Sequence, residues 1–398
     1  MTQEKALAGI RILELGQVIA GTFGDALLAD FGAEVIKIEP PGGDKGRNPS
    51  IANVRGESGL HLTLNRNKKS VVLDLKKPEA REIFYSLVKL SDVVLDNFRV
   101  GVLERLGIDY ETLRELNPRI ISCSIPGFRS NSRYRELPSF DLIHQSLTGM
   151  LSITGHAGGP PARLGMPLAD LGAGLFSAVG VLAALMARHQ TGKGQRIEVS
   201  MVDGQLAILG YMATSYLNTG VVPQPQGTSH DSMVPWQAFE CKGGYIVLAP
   251  REEPFWRKLC EALKAPELAA DPRFETNNQR VENRDVLVPI LEALLKKKTS
   301  DEWMSIFRSE GVPAAPVNTL DRVFADPGLA PEGVIETVEH PKIGKMQLVA
   351  NPVQLSETPA GPYRSAPPLG RETDEVLTDL LGRTKEQIAQ LREKGVVY

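Results

Sequence analysis

IRILELGQVIAGTFGDALLADFGAEVIKIEP, residues 10–40, decides the fold. IRILEL is an apolar run that predicts a strand, and GTFGDALLADFGA (21–33) has helical spacing. EVIKIEP (34–40) then predicts a second strand. Two strands joined through a helix pair in parallel, and such sheets are covered on both faces by helices. The alternation continues. SVVLDL (70–75), DVVLDN (92–97) and IISCSI (120–125) predict further strands, with helical spacing between them in PEAREIFYSLVKL (78–90) and YETLRELNP (110–118). A long helix over 171–188 and a strand in QRIEVSMVD (195–203) follow, leading into a helix near 203–217. The expected class is α/β, with a Rossmann-like, mainly parallel sheet in a large domain.

Composition changes at NTGVVPQPQGTSHDSMVP (218–235), which is rich in turn formers. WQAFECKGGYIVLAP (236–250) then predicts a hairpin about Lys242-Gly243-Gly244, and helical segments follow at 253–264, 284–297 and 300–310. These divisions give a large domain over 1–222, a smaller α+β domain over 223–327, and a return segment over 328–398 that completes the large domain. The return contains a hairpin at 334–355, a proline-rich stretch at 358–368 and a helix over 373–394. It is too poor in apolar residues to form a core of its own, so it must lie on another surface.

The 398 residues carry a net charge of −3, which provides no basic field for nucleic acid. Cys123, Cys241 and Cys260 have neither metal spacing nor a disulfide framework, and no signal-peptide pattern opens the chain. A reducing cytoplasm is the expected compartment. The stretch Leu171 to Met186 is short for a membrane span and is expected as a packed core helix, with no membrane partner. The six histidines show no ligand spacing, so no metal is expected. G-x-G-x-x-G, the Walker lysine and G-x-S-x-G are all missing, so any chemistry must run on a carboxylate.

Two features suit an anionic ligand. ELGQVIAG (14–21) lies where a first strand ends, which is where open parallel sheets take ligands, although taken alone it reads first as a plain turn needing glycine. Arg66, Lys68, Lys69, Arg99 and Arg105 abut strands of the same sheet and would suit phosphates if they converged; otherwise they are a solvated face. The candidate nucleophile is Asp170 in GMPLADLGAG (165–174). An aspartate at the start of a helix is a good N-cap. The same place favours the ionised form, and a positioned, desolvated carboxylate is a nucleophile toward activated acyl groups. Gly172 and Gly174 would leave room for substrate. Both roles stay open.

Taken together, the segments resemble family III CoA-transferases, the formyl-CoA and carnitine CoA-transferase group. The resemblance covers nearly the whole chain. It rests on ILELGQVIAG, LLADFGAEVIKIEPPGGD, LNRNKKSVVLDLKKPEA, DNFRVGVLERLGIDYETLRELNPRIISCSI, SFDLIHQSLTGM, PLADLGAG, RHQTGKGQRIEVSMVD and PWQAFECKGGYIVLA, in that order. It implies a homodimer of interlocked chains, and Asp170 passing through a mixed anhydride and an aspartyl-CoA thioester. Coenzyme A enters and leaves as acyl-CoA, with a carboxylic acid as second substrate. The resemblance places coenzyme A against Ile19 and Ala20, along Leu73, Asp74, Leu75 and Lys76, and beside Asn97, Phe98, Arg99 and Arg105. Pro138, Ser139, Phe140 and Asp141 complete that site.

This sequence departs from the formyl-CoA members at three places. Pro40 replaces an arginine, Pro138 replaces a lysine, and GTSHDSMVPW (227–236) replaces a four-glycine loop. The last is more like the loop of members that use succinate, glutarate or citramalate. On that likeness His230 and Ser232 are hydrogen-bonding candidates for substrate, and Arg163 or Arg47 would pair a distal carboxylate. Two rivals remain. One is an acyl-CoA racemase of the same fold, disfavoured because Phe140 stands where a histidine is common beside Asp141. The other is a non-catalytic acyl-CoA-binding protein.

Overall fold

A computed structural model describes residues 4–398. The chain forms two compact units. The first holds residues through Met150, Leu164–Val221 and Glu332–Tyr398; the second holds Leu151–Arg163 and Val222–Pro331. Residues 151–163 pack with the second unit, which local sequence pattern does not reveal.

The first unit is built on six parallel strands: β1 (Arg11–Glu14), β2 (Glu34–Glu39), β3 (Lys69–Val72), β4 (Val93–Asp96), β5 (Ile121–Ser124) and β6 (Arg196–Glu198). Their spatial order is β3-β2-β1-β4-β5-β6, the doubly wound arrangement whose connections reverse direction beside β1. Ile12 pairs with Val35 on one side and Val93 on the other. Alternate side chains serve opposite faces. Leu13, Ile36, Val71 and Val94 join one core, whereas Ile12, Val35, Val93 and Ile121 join the other. Because both faces are covered, the strands read as unbroken apolar runs.

Helix α1 (Ala20–Asp30) and helix α5 (Leu168–Thr191) cover the second of these faces. The first is covered by α2 (Pro78–Val88), α3 (Tyr110–Leu116) and the return segment, whose Val376, Leu377, Ile388, Val396 and Val397 complete that core. Val396 O accepts from Asp74 N at 3.1 Å, and Leu73 bridges to Val397. The expected helix over 373–394 is two, Thr373–Leu381 and Lys385–Glu393, divided at Gly382. The expected helix near 203–217 is likewise two: α6 (Met201–Ile208), then Tyr211–Thr219. Between them Gly210 takes φ +54, which few other residues accept. The hairpin in the return is Ile335–His340 paired with Gly344–Val349.

Helix α5 is 24 residues long and, by length and composition, apolar enough to cross a membrane. Only 44% of its most apolar window is buried within the chain. Ala169, Ala173, Ser177, Val181 and Ala184 face the sheet, while Leu175, Val179, Leu182 and Met186 are exposed. The expectation of a fully packed core helix therefore holds for one face only.

The second unit carries the hairpin Gln237–Cys241 with Gly244–Leu248, extended by Ala314–Pro316 into three antiparallel strands. Its core packs Phe239, Trp256, Phe274, Trp303 and Phe307. Arg280 is fully buried there, held by Glu253 at 2.7 Å and by Val234 O at 2.8 Å.

Candidate active site

The turn from β1 to α1 lies at the carboxyl end of β1, where the sheet order reverses. Gln17 N donates to Asn97 Oδ1 and Asn97 Nδ2 donates back to Gln17 O, both at 2.8 Å. Val18 N donates to Asp44 Oδ1 at 3.0 Å and Oδ2 at 3.2 Å. Below the turn, Lys37 Nζ reaches Glu14 at 2.8 Å, Gly16 O at 2.7 Å and Asp44 at 3.0 Å. Lys68 Nζ reaches Glu14 at 2.6 Å and Thr22 O at 2.8 Å. Burial costs the ammonium of Lys37, but Glu14, Asp44 and Glu39 outweigh that and raise its pKa; for Lys68 burial wins and the pKa falls.

These contacts correct the expectation of a free cationic cluster. Lys68 is buried on Glu14, Arg66 is bidentate to Asp30 at 3.0 and 2.7 Å, and Lys69 pairs with Glu34 and Glu375, each at 2.9 Å. Arg47, expected to be free for a distal carboxylate, is bidentate to Glu39 at 2.7 and 2.6 Å. Leu73 is a core side chain, and Leu75 packs against the same core. Arg99, Arg105 and Lys76 are exposed, with Asp74 half-buried beside Lys76; Phe98 packs against the core next to Asn97.

The backbone of α1 crosses that of α5 closely. A Cβ on Gly24 would fall 2.4 Å from Ser177 Oγ, and one on Gly174 would fall 2.5 Å from Ala20 O. Gly174 thus lets the helices meet, and Gly172 abuts Ile208; neither opens space for substrate, contrary to expectation. Asp170 lies one helical turn before Gly174, hence on the side of α5 that meets the start of α1, where Ile19 and Ala20 sit.

Asp170 is not the N-cap. Pro167 holds that place without a side-chain cap, and Asp170 is the third helical residue. The cap is supplied from elsewhere. Asp141, at the start of α4 (Asp141–Leu147), accepts from Ala169 N at 2.8 Å. Gln145 Nε2 donates to Asp141 Oδ2 at 2.7 Å, and Gln145 Oε1 accepts from Leu164 N at 3.1 Å. Before α4, Pro138 and Phe140 are exposed, and Ser139 is hydrogen-bonded to the buried His144. Burial pushes Asp170 up, the nearby Asp141 charge adds to it, and the pKa rises to about 7. Against the expectation that the helix start favours the ionised form, burial and the Asp141 charge both act toward the protonated carboxyl.

Arg163, His230 and Ser232 belong to the second unit. His230 Nδ1 accepts from Ser232 N at 3.2 Å and lies 3.4 Å from its hydroxyl, so these two do come together on one loop; Arg163 is exposed. Among the described residues no group of three or more His, Cys, Asp or Glu could hold a metal ion.

The family model for CoA-transferase family III matches residues 7–373. The chain belongs to CoA-transferase family III. As a member, it shares 35% identity over 398 residues with the human succinyl-CoA:glutarate CoA-transferase, covering 100% of this chain and 91% of that one. It is also 35% identical over 395 residues to the Chloroflexus aurantiacus succinyl-CoA–D-citramalate CoA-transferase, covering 99% of this chain and 98% of that one. A crystal structure of a CaiB/BaiF family protein from Brucella suis superposes with a TM-score of 0.87 at 33% identity, over 95% of this chain and 100% of that chain. This family III enzyme is thus a CoA-transferase. Sequence reasoning missed Asp44 and Gln145, whose contacts to the Val18 amide and to the Leu164 amide cross 26 and 19 residues of chain.

Proposed function

We propose that the enzyme moves coenzyme A from succinyl-CoA to a second dicarboxylic acid, with Asp170 as the nucleophile. The acids are carried over from the relatives' substrates. The observation that carries the reading is the half-buried carboxylate of Asp170, one helical turn before the point where Gly174 of α5 meets Ala20 O, with burial lifting its pKa to about 7.

One oxygen of Asp170 attacks the thioester carbon of the donor. The C–S bond breaks, giving a mixed anhydride and CoA thiolate. The thiolate attacks the Asp170 carbonyl, the anhydride C–O bond breaks, and the donor acid leaves as its carboxylate. The acceptor carboxylate then attacks the aspartyl-CoA thioester, expelling thiolate and forming a second anhydride. Attack of the thiolate on the acceptor's acyl carbon yields the new acyl-CoA and restores Asp170. No water is consumed and no net proton moves. Thiols ionise near ~8.5, so the thiolate leaves without a strong general acid. A raised pKa makes the Asp170 carboxylate more basic and therefore a stronger nucleophile, at the cost of a smaller ionised fraction below neutrality.

The coenzyme A contacts, from Ile19 to Asp141, are carried over from the family resemblance. The working form is a homodimer in the cytoplasm. The exposed apolar row Leu175, Val179, Leu182 and Met186 supports the dimer, and the three buried, free cysteines suit a reducing compartment. The test is to incubate the enzyme with succinyl-CoA, quench with hydroxylamine and map the product by mass spectrometry. An adduct at Asp170, with CoA passed to an acid from a panel, is expected. CoA binding without an adduct would mean a binding protein; α-deuterium gained from heavy water would mean a racemase.

A further inference from the structure

The turn between β1 and α1 holds an unusual residue in an unusual state. Val18 has φ +64, the left-handed region. A β-branched side chain enters it only under constraint, whereas glycine enters freely. Strain of this kind persists where surrounding structure over-determines it, and it concentrates at functional sites.

The constraint comes mainly from Asp44. Both of its oxygens face Val18 N, at 3.0 and 3.2 Å. Asp44 is itself 3% exposed and is held from three directions: by Lys37 at 3.0 Å, by Gly46 N at 2.8 Å, and through its own N–H to Glu39 at 2.9 Å. Burial pushes this carboxyl up, but Lys37 and the amides of Gly46 and Val18 outweigh it, so it stays an anion. Lys37 also holds Gly16 O, so one ion pair grips the turn on both sides of Gln17. A plain connection would use glycine at position 18 and need no buried carboxylate. Here the geometry is pinned. The turn delivers Ile19 and then Ala20, whose carbonyl meets Gly174 one helical turn from Asp170. A shift in the turn is therefore a shift in the position of Ile19 relative to the nucleophile's helix.

We propose that Asp44 is a positioning residue of the transfer site, holding the Val18 turn so that Ile19 and Ala20 present bound acyl-CoA to Asp170; this rests on the function proposed above. Asp44 touches no reacting atom. Its role requires only that the Val18 amide be held.

The test compares Asp44→Ala, Asp44→Asn and Val18→Gly with wild type, using succinyl-CoA and the best acid of the panel, with Tm measured alongside. Asp44→Ala should lose at least about tenfold in kcat, since a small misplacement of reacting groups costs up to ~100-fold. Asp44→Asn keeps an acceptor for the Val18 amide and should recover most of that loss. Val18→Gly frees the turn without touching a charge; it should melt close to wild type and still lose about tenfold in kcat, with KM changed less. Wild-type kcat in both Val18→Gly and a folded Asp44→Ala would overturn the assignment. So would loss in Asp44→Ala that tracks unfolded protein, with Asp44→Asn no better and Val18→Gly fully active. Wild-type enzyme that transfers no CoA would instead sink the proposed function beneath it.

Discussion

Asp170→Asn should make the protein more stable, and only above a definite pH. The folded state raises the Asp170 pKa from 3.8 to about 7, first by burial and then through the Asp141 charge. The unfolded chain releases this proton near its ordinary value. Between those limits the folded state binds more protons than the unfolded one, so stability falls as pH rises through the window and levels off above it. Each unit is worth ~1.36 kcal/mol, so the full shift of about three units sets a ceiling of about 4 kcal/mol, and partial exposure of the group lowers this to roughly 2–4. Asparagine has the same shape and no charge to desolvate. Thermal unfolding of both proteins without CoA, at several pH values from about 5 to about 8.5, measures the effect. The variant should melt higher at every pH tested, by a gap that is already present at the acid end, widens up to about pH 7 and stays constant above it. A gap independent of pH, or a variant that melts lower at the alkaline end, would refute the claim that the site keeps its nucleophile at the expense of the fold.

Other expectations follow from the same geometry. Asp170→Ala should abolish CoA transfer while isothermal titration still detects CoA binding; loss of both together would mean that the residue serves the helix rather than the chemistry. Wild-type transfer should fall below pH about 7, as the nucleophile takes up its proton. Asp141→Asn keeps an acceptor for Ala169 N but removes the second cause of the Asp170 shift, so the acid limb of the pH–rate profile should move to lower pH, though only part of the way, because burial is the larger cause. Leu377→Ala opens a cavity in the core under the return segment and should cost about 2–5 kcal/mol in denaturant unfolding. Sedimentation at micromolar concentration should give a dimer mass, and a monomer would contradict the proposed assembly.

The parallel sheet was legible because its strands are buried on both faces and so appear as continuous apolar runs; Val93, Val94 and Leu95 needed no tertiary knowledge. The buried ions were not legible. Lys37 and Lys68 look like surface charges in a linear sequence, and only the sheet brings them to Glu14. The pairing of Arg47 with Glu39, at the end of β2, was likewise not marked in the sequence. Asp170 was visible as a carboxylate among small residues, but its role within the helix was misjudged. Pro167 takes the cap position, and the hydrogen-bond acceptor arrives from Asp141, 28 residues away. Gly172 and Gly174 signalled close approach correctly, but the approaching group is another helix.

The return segment ties the order of synthesis to the order of folding. Thr373 Oγ1 receives the amide of Val72 from 301 residues away, and Val397 lies against Leu73. Until those late residues emerge, α2 and α3 cover only part of one side of the sheet, and the rest of its apolar floor is open to water and to other chains. Contacts so distant in sequence form slowly. Newly made chains must therefore pass through a sticky interval that a chaperone can shorten, and a lesion in the last helices will show as aggregation during expression well before it shows as lost catalysis.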